Sequence, residues 1–380
     1  MKKLCFCILL ALIILIFSTQ LTYAASNVVE APHIKIVIEG KMAEYKEVPL
    51  LVNGRTLLPL RAILKDLGVP DDDAHIMWNQ SEKSVTVCKD SKKIFLKVNS
   101  NTALVNDSEV KLDAAPVNYK SRVYIPVRFV SQALDKKVVW DGTTYTVYLR
   151  EQKEFDRIGE IITRANETRK RESKFKASLN MSIAIGKNNT KLDISTDMKC
   201  EIDEAKQLSH MLTEMNTMGK KTATEYYLSG NIRFARDSVK NIWEKQDLTQ
   251  LDISKLMYSQ EKNGMIEATD INCAGLTAEE NSESGELVLK GNVYLHELMS
   301  KSTGSLNAVN SIRPDKCYTE IAIDSKSYLY KRFKVNISGD VKINNSDQRL
   351  ESSIYISYSD YGGDFDISLP DEVKNLYVLQ

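Results

Sequence analysis

The chain has 380 residues, of which 43% are hydrophobic and 27% are charged, as in ordinary globular proteins of one or two domains. Its 51 basic residues balance its 51 acidic residues. Because no net charge remains, we do not expect nucleic acid or an anionic membrane surface to be the main partner.

The N terminus has the pattern of a secretory signal peptide. Two lysines precede an apolar run over residues 4–17, and small residues surround a cleavage site after Ala24. The run is shorter than the ~20 apolar residues that a membrane helix needs. We therefore expect residues 1–24 to be removed on export, with an uncleaved anchor as the alternative. No cysteine follows the site directly, which argues against a lipid anchor there.

The next part of the chain contains an internal repeat. Residues 49–61 recur as residues 116–128, 67 positions further on, with the same residue types at matched positions: Pro49/Pro116, Arg55/Arg122, Pro59/Pro126 and Arg61/Arg128. A repeat of this kind is typical of one supersecondary element that is built twice and packed against its copy.

Each repeat predicts a strand, a helix and a second strand. Alternating apolar residues mark the strands. Pro59 and Pro126 open the helical stretches, since proline suits the first helical turn. The strand after each helix carries a tryptophan, Trp78 or Trp140.

The arginines and tryptophans of the repeats allow two interpretations each. Arg61 and Arg128 fit anion-binding residues, but their repetition favours ion pairs that lock each repeat. Trp78 and Trp140 fit carbohydrate-stacking platforms, but we interpret them as core anchors. We therefore treat all four, with the two helix-opening prolines, as structural residues.

Residues 33–150 resemble a known family. The paired motifs NGRTLLPLRAIL and SRVYIPVRFVSQAL, each followed by a tryptophan strand, are similar to those of the copper amine oxidase N-terminal-like domain, also called a stalk domain. The resemblance implies a small β-rich module of secreted and surface proteins of Gram-positive-type bacteria. It does not imply oxidase chemistry.

The residues required for catalysis do not form a recognisable set. The chain has four histidines, scattered from His33 to His296, whereas a copper site needs several imidazoles close together. The sequence contains no nucleophile elbow, phosphate-binding loop or dinucleotide-binding motif. We therefore expect no enzyme activity, no metal and no cofactor.

The second half begins with a helix and continues as a long antiparallel sheet. Phe155, Ile158 and Ile162 mark the apolar face of a helix that starts near Glu151. Strands with alternating apolar residues follow from residue 177 to residue 358. We expect a further helix near residues 251–258 and an exposed loop over residues 277–284.

Residues 151–380 resemble the LolA/LprG/LppX-like lipoprotein fold. The similarity lies in the opening helix and in the segments TATEYYLSGNIRFAR and FDISLPDEVKNL. The resemblance implies a curved antiparallel half-barrel with helices over its concave face, which holds lipids in the characterised relatives. The predicted fold class is thus α+β and β-rich, with a two-repeat stalk domain (33–150) and a half-barrel domain (151–380).

The candidate ligand residues are apolar side chains of the predicted sheet. An apolar ligand requires inward-facing side chains that have no filling partners. The candidates are Leu179, Met181, Ile183, Tyr227, Phe234, Ile242 and Trp243. An ordinary core between sheet and helices explains the same alternation.

The functional hypothesis is an exported, non-catalytic protein of the cell envelope, in which a stalk module carries a domain for a lipid or another apolar molecule. The alternative is a structural or adhesive surface protein that docks to the cell wall or a surface partner without a small-molecule ligand.

Overall fold

The computed structural model describes residues 28–187, 190–247, 266–293, 313–343 and 346–378. The predicted signal peptide and the helix expected near residues 251–258 lie outside these ranges. The chain forms two compact units. The first contains Lys46–Val130 and the described residues up to Pro32, and the second contains His33–Tyr45 and the described residues from Ser131 onwards.

The first unit is built from two five-stranded sheets. One has the order β1-β4-β5-β12-β11, formed by β1 (Val28–Glu30), β4 (Leu50–Val52), β5 (Arg55–Pro59), β11 (Val117–Tyr119) and β12 (Arg122–Pro126). The other has the order β10-β9-β8-β7-β6, formed by β6 (Ile76–Asn79), β7 (Ser84–Lys89), β8 (Lys92–Lys97), β9 (Thr102–Val105) and β10 (Ser108–Lys111). The helices α1 (Leu60–Asp66) and α2 (Val127–Ala133) follow the two repeated strands.

The two sequence repeats meet as paired strands. β5 and β12 are antiparallel, and Leu58 pairs with Ile125, its own counterpart 67 positions further on. Both side chains are fully buried. The repeat therefore packs against its copy around a local two-fold axis at this residue pair.

The second unit contains a small sheet of order β13-β14-β2-β3. Its strands are β2 (Lys35–Ile38), β3 (Lys41–Met42), β13 (Lys136–Asp141) and β14 (Thr146–Glu151). β14 runs parallel to β2, and the other neighbours are antiparallel.

The same unit contains a curled antiparallel sheet of eleven strands, in the order β20-β19-β18-β17-β16-β15-β25-β24-β23-β22-β21. The strands are β15 (Lys174–Lys187), β16 (Thr190–Asp203), β17 (Leu208–Thr217), β18 (Lys220–Ser229), β19 (Ile232–Asp237), β20 (Trp243–Asp247), β21 (Leu276–Asn281), β22 (Glu286–Gly291), β23 (Arg313–Asp324), β24 (Tyr330–Ile343) and β25 (Ser346–Ser359). This half-barrel confirms the predicted fold class. Residues 277–281, expected in a loop, instead form most of its edge strand β21.

In the described part of this unit, three helices follow β14: α3 (Gln152–Arg171), α4 (Asp270–Gly275) and α5 (Asp371–Val378). The predicted apolar stripe of α3 packs on one face of the large sheet, where Ile158, Ile162 and Ala165 share a buried cluster with Leu289 and Ile321. We call the face under α3 the helix face and the opposite side the outer face.

Trp78 and Trp140 are not core anchors. Their side chains are 37% and 43% exposed, while Ile76 and Val139 on the same strands are buried. Both tryptophans lie on edge strands, β6 and β13, so no further strand covers the rings. Arg61 pairs with Asp71 at 2.5 Å, and Arg128 lies 3.7 Å from Asp113, which also pairs with Arg55 at 2.6 Å.

The buried carboxylate of Glu286, on β22, contributes to the stability of the large sheet. Arg332 binds both of its oxygens at 2.6 and 2.7 Å, and these hydrogen bonds hold the pKa of Glu286 below its ordinary value of 4.5. We expect Glu286→Gln to lower the free energy of unfolding at pH 7 by about 2 kcal/mol. Glu279→Gln, which changes an exposed partner of Lys290 on the neighbouring strand, should have no measurable effect.

The pH dependence of this loss has a definite sign. A carboxylate with a lowered pKa stabilises the fold above its unfolded pKa, and the contribution disappears as the pH falls through the folded pKa. Denaturant unfolding of the wild type and of Glu286→Gln should therefore show that the difference between their free energies of unfolding becomes smaller below pH 4.5. A difference in the free energy of unfolding that stays constant down to pH 3 would contradict the stabilising role of the ionised Glu286–Arg332 pair.

Candidate functional site

Strand alternation places three of the candidate residues side by side on the helix face. Leu179, Met181 and Ile183 occupy alternate positions of β15, on the same side as the buried residues Phe175 and Ala177. The strand register adds apolar neighbours from β16 and β25 on that side: Met198, Ile354 and Ile356. We call these six residues the apolar strip.

The apolar strip is only half-buried. Ile183, Ile354 and Ile356 pack against the buried cluster under α3, and Met198 packs against a second cluster around Phe175. Leu179 and Met181 lie between the two clusters and belong to neither. Leu192 and Met215, on the same face, are exposed. Large apolar side chains therefore remain accessible in the middle of a face that is otherwise packed.

Two buried hydroxyl groups interrupt this apolar surface. Thr196 is 5% exposed and pairs with Met181, and Thr213 is 9% exposed and pairs with Met198. Within the described ranges, neither Oγ1 atom has a hydrogen-bond partner. A buried hydroxyl without a partner costs about 1–3 kcal/mol, so a ligand that forms a hydrogen bond with either atom recovers part of that free energy. In the sequence, the signal for both is a threonine at an apolar position of the strand alternation.

Three other candidates lie on the outer face and form a core there. Tyr227, Phe234 and Trp243 pack with Ile367 and Val373 of the C-terminal segment. The Trp243 indole N–H donates to Glu372 at 3.1 Å. The C-terminal segment thus covers these side chains, and α5 contributes both Glu372 and Val373.

The seventh candidate, Ile242, is 66% exposed and precedes β20. The structure therefore brings Leu179, Met181 and Ile183 together and separates them, by the thickness of the sheet, from the three outer-face aromatic residues. Ile242 joins neither group.

A charged network borders the outer-face core. The Glu225 carboxylate accepts a hydrogen bond from Arg236 at 2.6 Å and contacts His210 Nε2 at 2.9 Å. Burial alone would raise the pKa of Glu225, but the bonds to Arg236 and His210 lower it. The His210 ring also stacks on Tyr227, with ring centroids 4.4 Å apart. These contacts hold the aromatic side chains of the outer-face core in place.

A cavity of about 600 Å³ lies near the ends of the central strands. Its lining is mixed: polar side chains such as Ser182, Asp193, Ser195 and Asn216 alternate with the apolar residues Ile183, Ile194, Met218 and Ile337. Ile183 of the apolar strip is therefore also part of this cavity wall.

The described residues show neither a metal-binding cluster nor a membrane-spanning helix. Among the described residues, no group of three or more histidine, cysteine and acidic side chains is arranged to hold a metal ion. Over the same ranges, no helix combines the length and the apolar character needed to cross a membrane.

The sequence matches two family models. Residues 37–149 match the copper amine oxidase N-terminal domain, which confirms the first resemblance. Residues 158–377, more than half of the chain, match a family of unknown function, DUF6612. The chain therefore belongs to the DUF6612 family. No curated protein matches it significantly.

Solved structures with some similarity cover just over half of the chain. LprF from Mycobacterium bovis is 9% identical, with 57% of this chain and 97% of that one covered and a TM-score of 0.29. A putative outer membrane lipoprotein-sorting protein domain from Vibrio parahaemolyticus is 10% identical (58% and 98% covered, TM-score 0.25). A LolA superfamily protein from Nitrosomonas europaea is 11% identical (56% and 95% covered, TM-score 0.20).

The last two proteins carry the lipoprotein-sorting and LolA names. The half-barrel architecture rests on the strand pairing of this chain.

The outer-face core gives a stability prediction. Phe234→Ala should lower the free energy of unfolding by about 3–5 kcal/mol, because it leaves a cavity under the C-terminal segment. Ile242→Ala should change it by less than about 0.5 kcal/mol, because that side chain is exposed. Chemical denaturation of both variants measures the difference. Equal losses would mean that the two side chains are equally buried.

Proposed function

We propose that the second unit binds an apolar ligand with long hydrocarbon chains along the apolar strip, in a non-catalytic protein exported to the cell envelope. The observation that carries the proposal is the row of half-buried apolar side chains between two packed clusters. A monomeric surface seldom leaves such a row accessible unless a partner or ligand covers it.

The free energy of burial favours long chains over short ones. Each buried methylene contributes about 0.8 kcal/mol. A dissociation constant of about 1 μM requires about 8 kcal/mol, and association itself costs at least about 4 kcal/mol. About 15 fully buried methylenes are then needed, which corresponds to a lipid acyl chain or a pair of chains.

The two buried threonines suit a ligand that also carries a polar group. Oγ1 of Thr196 and Oγ1 of Thr213 lie within the apolar face and lack partners in the described part of the chain. An ester or amide carbonyl at the end of the acyl chain can accept hydrogen bonds from both hydroxyls. An acyl ester therefore fits the face better than a plain hydrocarbon.

The proposed export rests on the signal pattern of residues 1–24. The first unit then acts as the stalk module that presents the ligand-binding unit outside the cytoplasm. The absence of a recognisable nucleophile and base in the sequence favours a carrier over a hydrolase.

A first experiment asks whether the protein carries a ligand when it leaves the cell. Residues 25–380 are purified from the native host and analysed by native mass spectrometry, followed by organic extraction. We expect a stoichiometric adduct that the extraction identifies as an acylated molecule. A protein that shows no adduct, and takes up no phospholipid from vesicles of phosphatidylglycerol, would disprove the proposal.

Adjacent residues of β15 provide a matched pair of variants. Met181→Lys places a charge in the apolar strip, whereas Ser182→Lys places it on the outer face. With cis-parinaric acid as the fluorescent probe, Met181→Lys should weaken binding at least tenfold and Ser182→Lys less than twofold.

Met181→Leu serves as the control for packing, because it keeps an apolar side chain of similar volume and should bind the probe as the wild type does. Thermal unfolding of the three variants verifies that they are folded. Equal binding by Met181→Lys and the wild type would place the ligand elsewhere.

A further inference from the structure

The first unit contains a groove that the proposed lipid function does not use. It has a volume of about 360 Å³ and lies beside Trp78. The start of α1, the edge strand β6 and the hairpin of β11 and β12 form its walls. We call it the tryptophan groove. Its volume is within the range of about 300–1,000 Å³ that is common for ligand-binding clefts.

One wall offers an aromatic ring whose polar atom is already satisfied. The indole N–H of Trp78 donates to Gln80 Oε1 at 2.8 Å. This bond fixes the orientation of the ring, and the half-exposed ring surface is what the groove presents. An accessible tryptophan on an edge strand places a large apolar area in contact with water.

The other walls offer polar side chains without partners. Within the described part of the chain, the amide of Asn118 and the hydroxyl of Ser121 make no side-chain hydrogen bond, and both line the groove. Arg122 is exposed and lies 3.4 Å from Glu47, and Arg61 is occupied by Asp71. Neutral donors and acceptors therefore line the same groove as the ring, while both guanidinium groups already have carboxylate partners.

We propose that the tryptophan groove binds a pyranose ring of a polysaccharide. A pyranose has a face of C–H groups that can stack on an indole and a rim of hydroxyls that can bond to amides, hydroxyls and guanidinium groups. The groove provides both surfaces, the ring of Trp78 and the side chains of Asn118 and Ser121.

Other ligand classes fit the groove less well. A hydrocarbon would leave Asn118 and Ser121 without partners, which costs free energy for each polar group that loses water. An inorganic anion would have to compete with Asp71 and Glu47 for the two arginines, and it would not use the ring of Trp78.

The side chains of the groove suit two classes of such a sugar. Uncharged N-acetylated sugars would use Trp78, Asn118 and Ser121, whereas carboxylate-bearing sugars would in addition draw Arg122 away from Glu47. A probe of each kind distinguishes them: chitohexaose for the uncharged sugars and an oligogalacturonate for the acidic ones.

The test uses isothermal titration calorimetry on the full mature chain. We expect at least one probe to bind, and Trp78→Ala to weaken its binding at least tenfold. Trp78→Tyr should restore binding to within about threefold of the wild type, because it keeps an aromatic face. Binding of the oligogalacturonate that falls with salt while chitohexaose does not bind would assign the acidic class.

The neighbouring residue provides the matched control. Met77 is also exposed on β6, but it points to the other side of the strand and does not line the groove. Met77→Ala should leave binding within twofold of the wild type. Failure of both probes to bind at millimolar concentration, or equal binding by Trp78→Ala and the wild type, would overturn the proposal. Thermal unfolding confirms that each variant is folded.

Discussion

The second unit depends on one buried arginine. Arg150, on β14 of the small sheet, donates through Nη2 to the carbonyl oxygen of Leu276 on the large sheet, and its Nη1 lies 3.4 Å from Glu39. Burial lowers the pKa of this guanidinium, and the nearby carboxylate opposes that effect. A buried cation is tolerated only where charge and hydrogen bonds compensate its lost hydration. The hydrogen bond to Leu276 and the charge of Glu39 come from different sheets, so the arginine joins one sheet to the other. Among the described residues, Nε and Nη1 have no hydrogen-bond partner, so the Glu39 charge and this one bond carry the compensation.

Backbone segments also approach each other closely near the Arg150–Leu276 contact. A Cβ atom on Gly291 would lie 2.0 Å from the carbonyl oxygen of Gly275, so only glycine fits there. The side chain of Asn292 donates to the carbonyl of Gly40 at 3.1 Å. These contacts make the small sheet part of the same compact unit as the half-barrel. The stretch that matches the copper amine oxidase N-terminal domain, residues 37–149, therefore contributes strands to both units.

The sequence predicts the strands of the half-barrel well, because each has one buried face and alternates accordingly. The sequence does not predict on which of the two faces of the sheet an apolar side chain lies. Leu179 and Phe234 have the same apolar character and strand context, yet they lie on opposite sides of the sheet. That difference depends on the strand register and on where the C-terminal segment packs, and both are set by contacts distant in sequence. The tryptophans show the same limit, since exposure at an edge strand depends on which neighbour is missing.

The repeat shows how far local similarity determines structure. The strands at the start of the two copies, β5 and β12, pair with each other through Leu58 and Ile125. The strands that follow the two helices join different sheets. β6 lies beside β7 in a five-stranded sheet, whereas β13 lies beside β14 in the small four-stranded sheet. The arginines at equivalent positions have different partners, since Arg61 pairs with Asp71 after α1 and Arg128 lies near Asp113 before β11. Asp113 also pairs with Arg55 of the first copy at 2.6 Å, so the two copies share the strand pairing and one carboxylate.

The two proposed sites rest on different physics and on different units. The apolar strip gains free energy from removing hydrocarbon from water, which is non-directional and proportional to area. The tryptophan groove relies on one ring and on side chains with fixed directions. Because the strip is open on one side, a single acyl chain buries only part of its surface there, and its affinity is lower than full burial would give. Such a surface favours reversible loading, as a carrier requires, over permanent retention of its ligand.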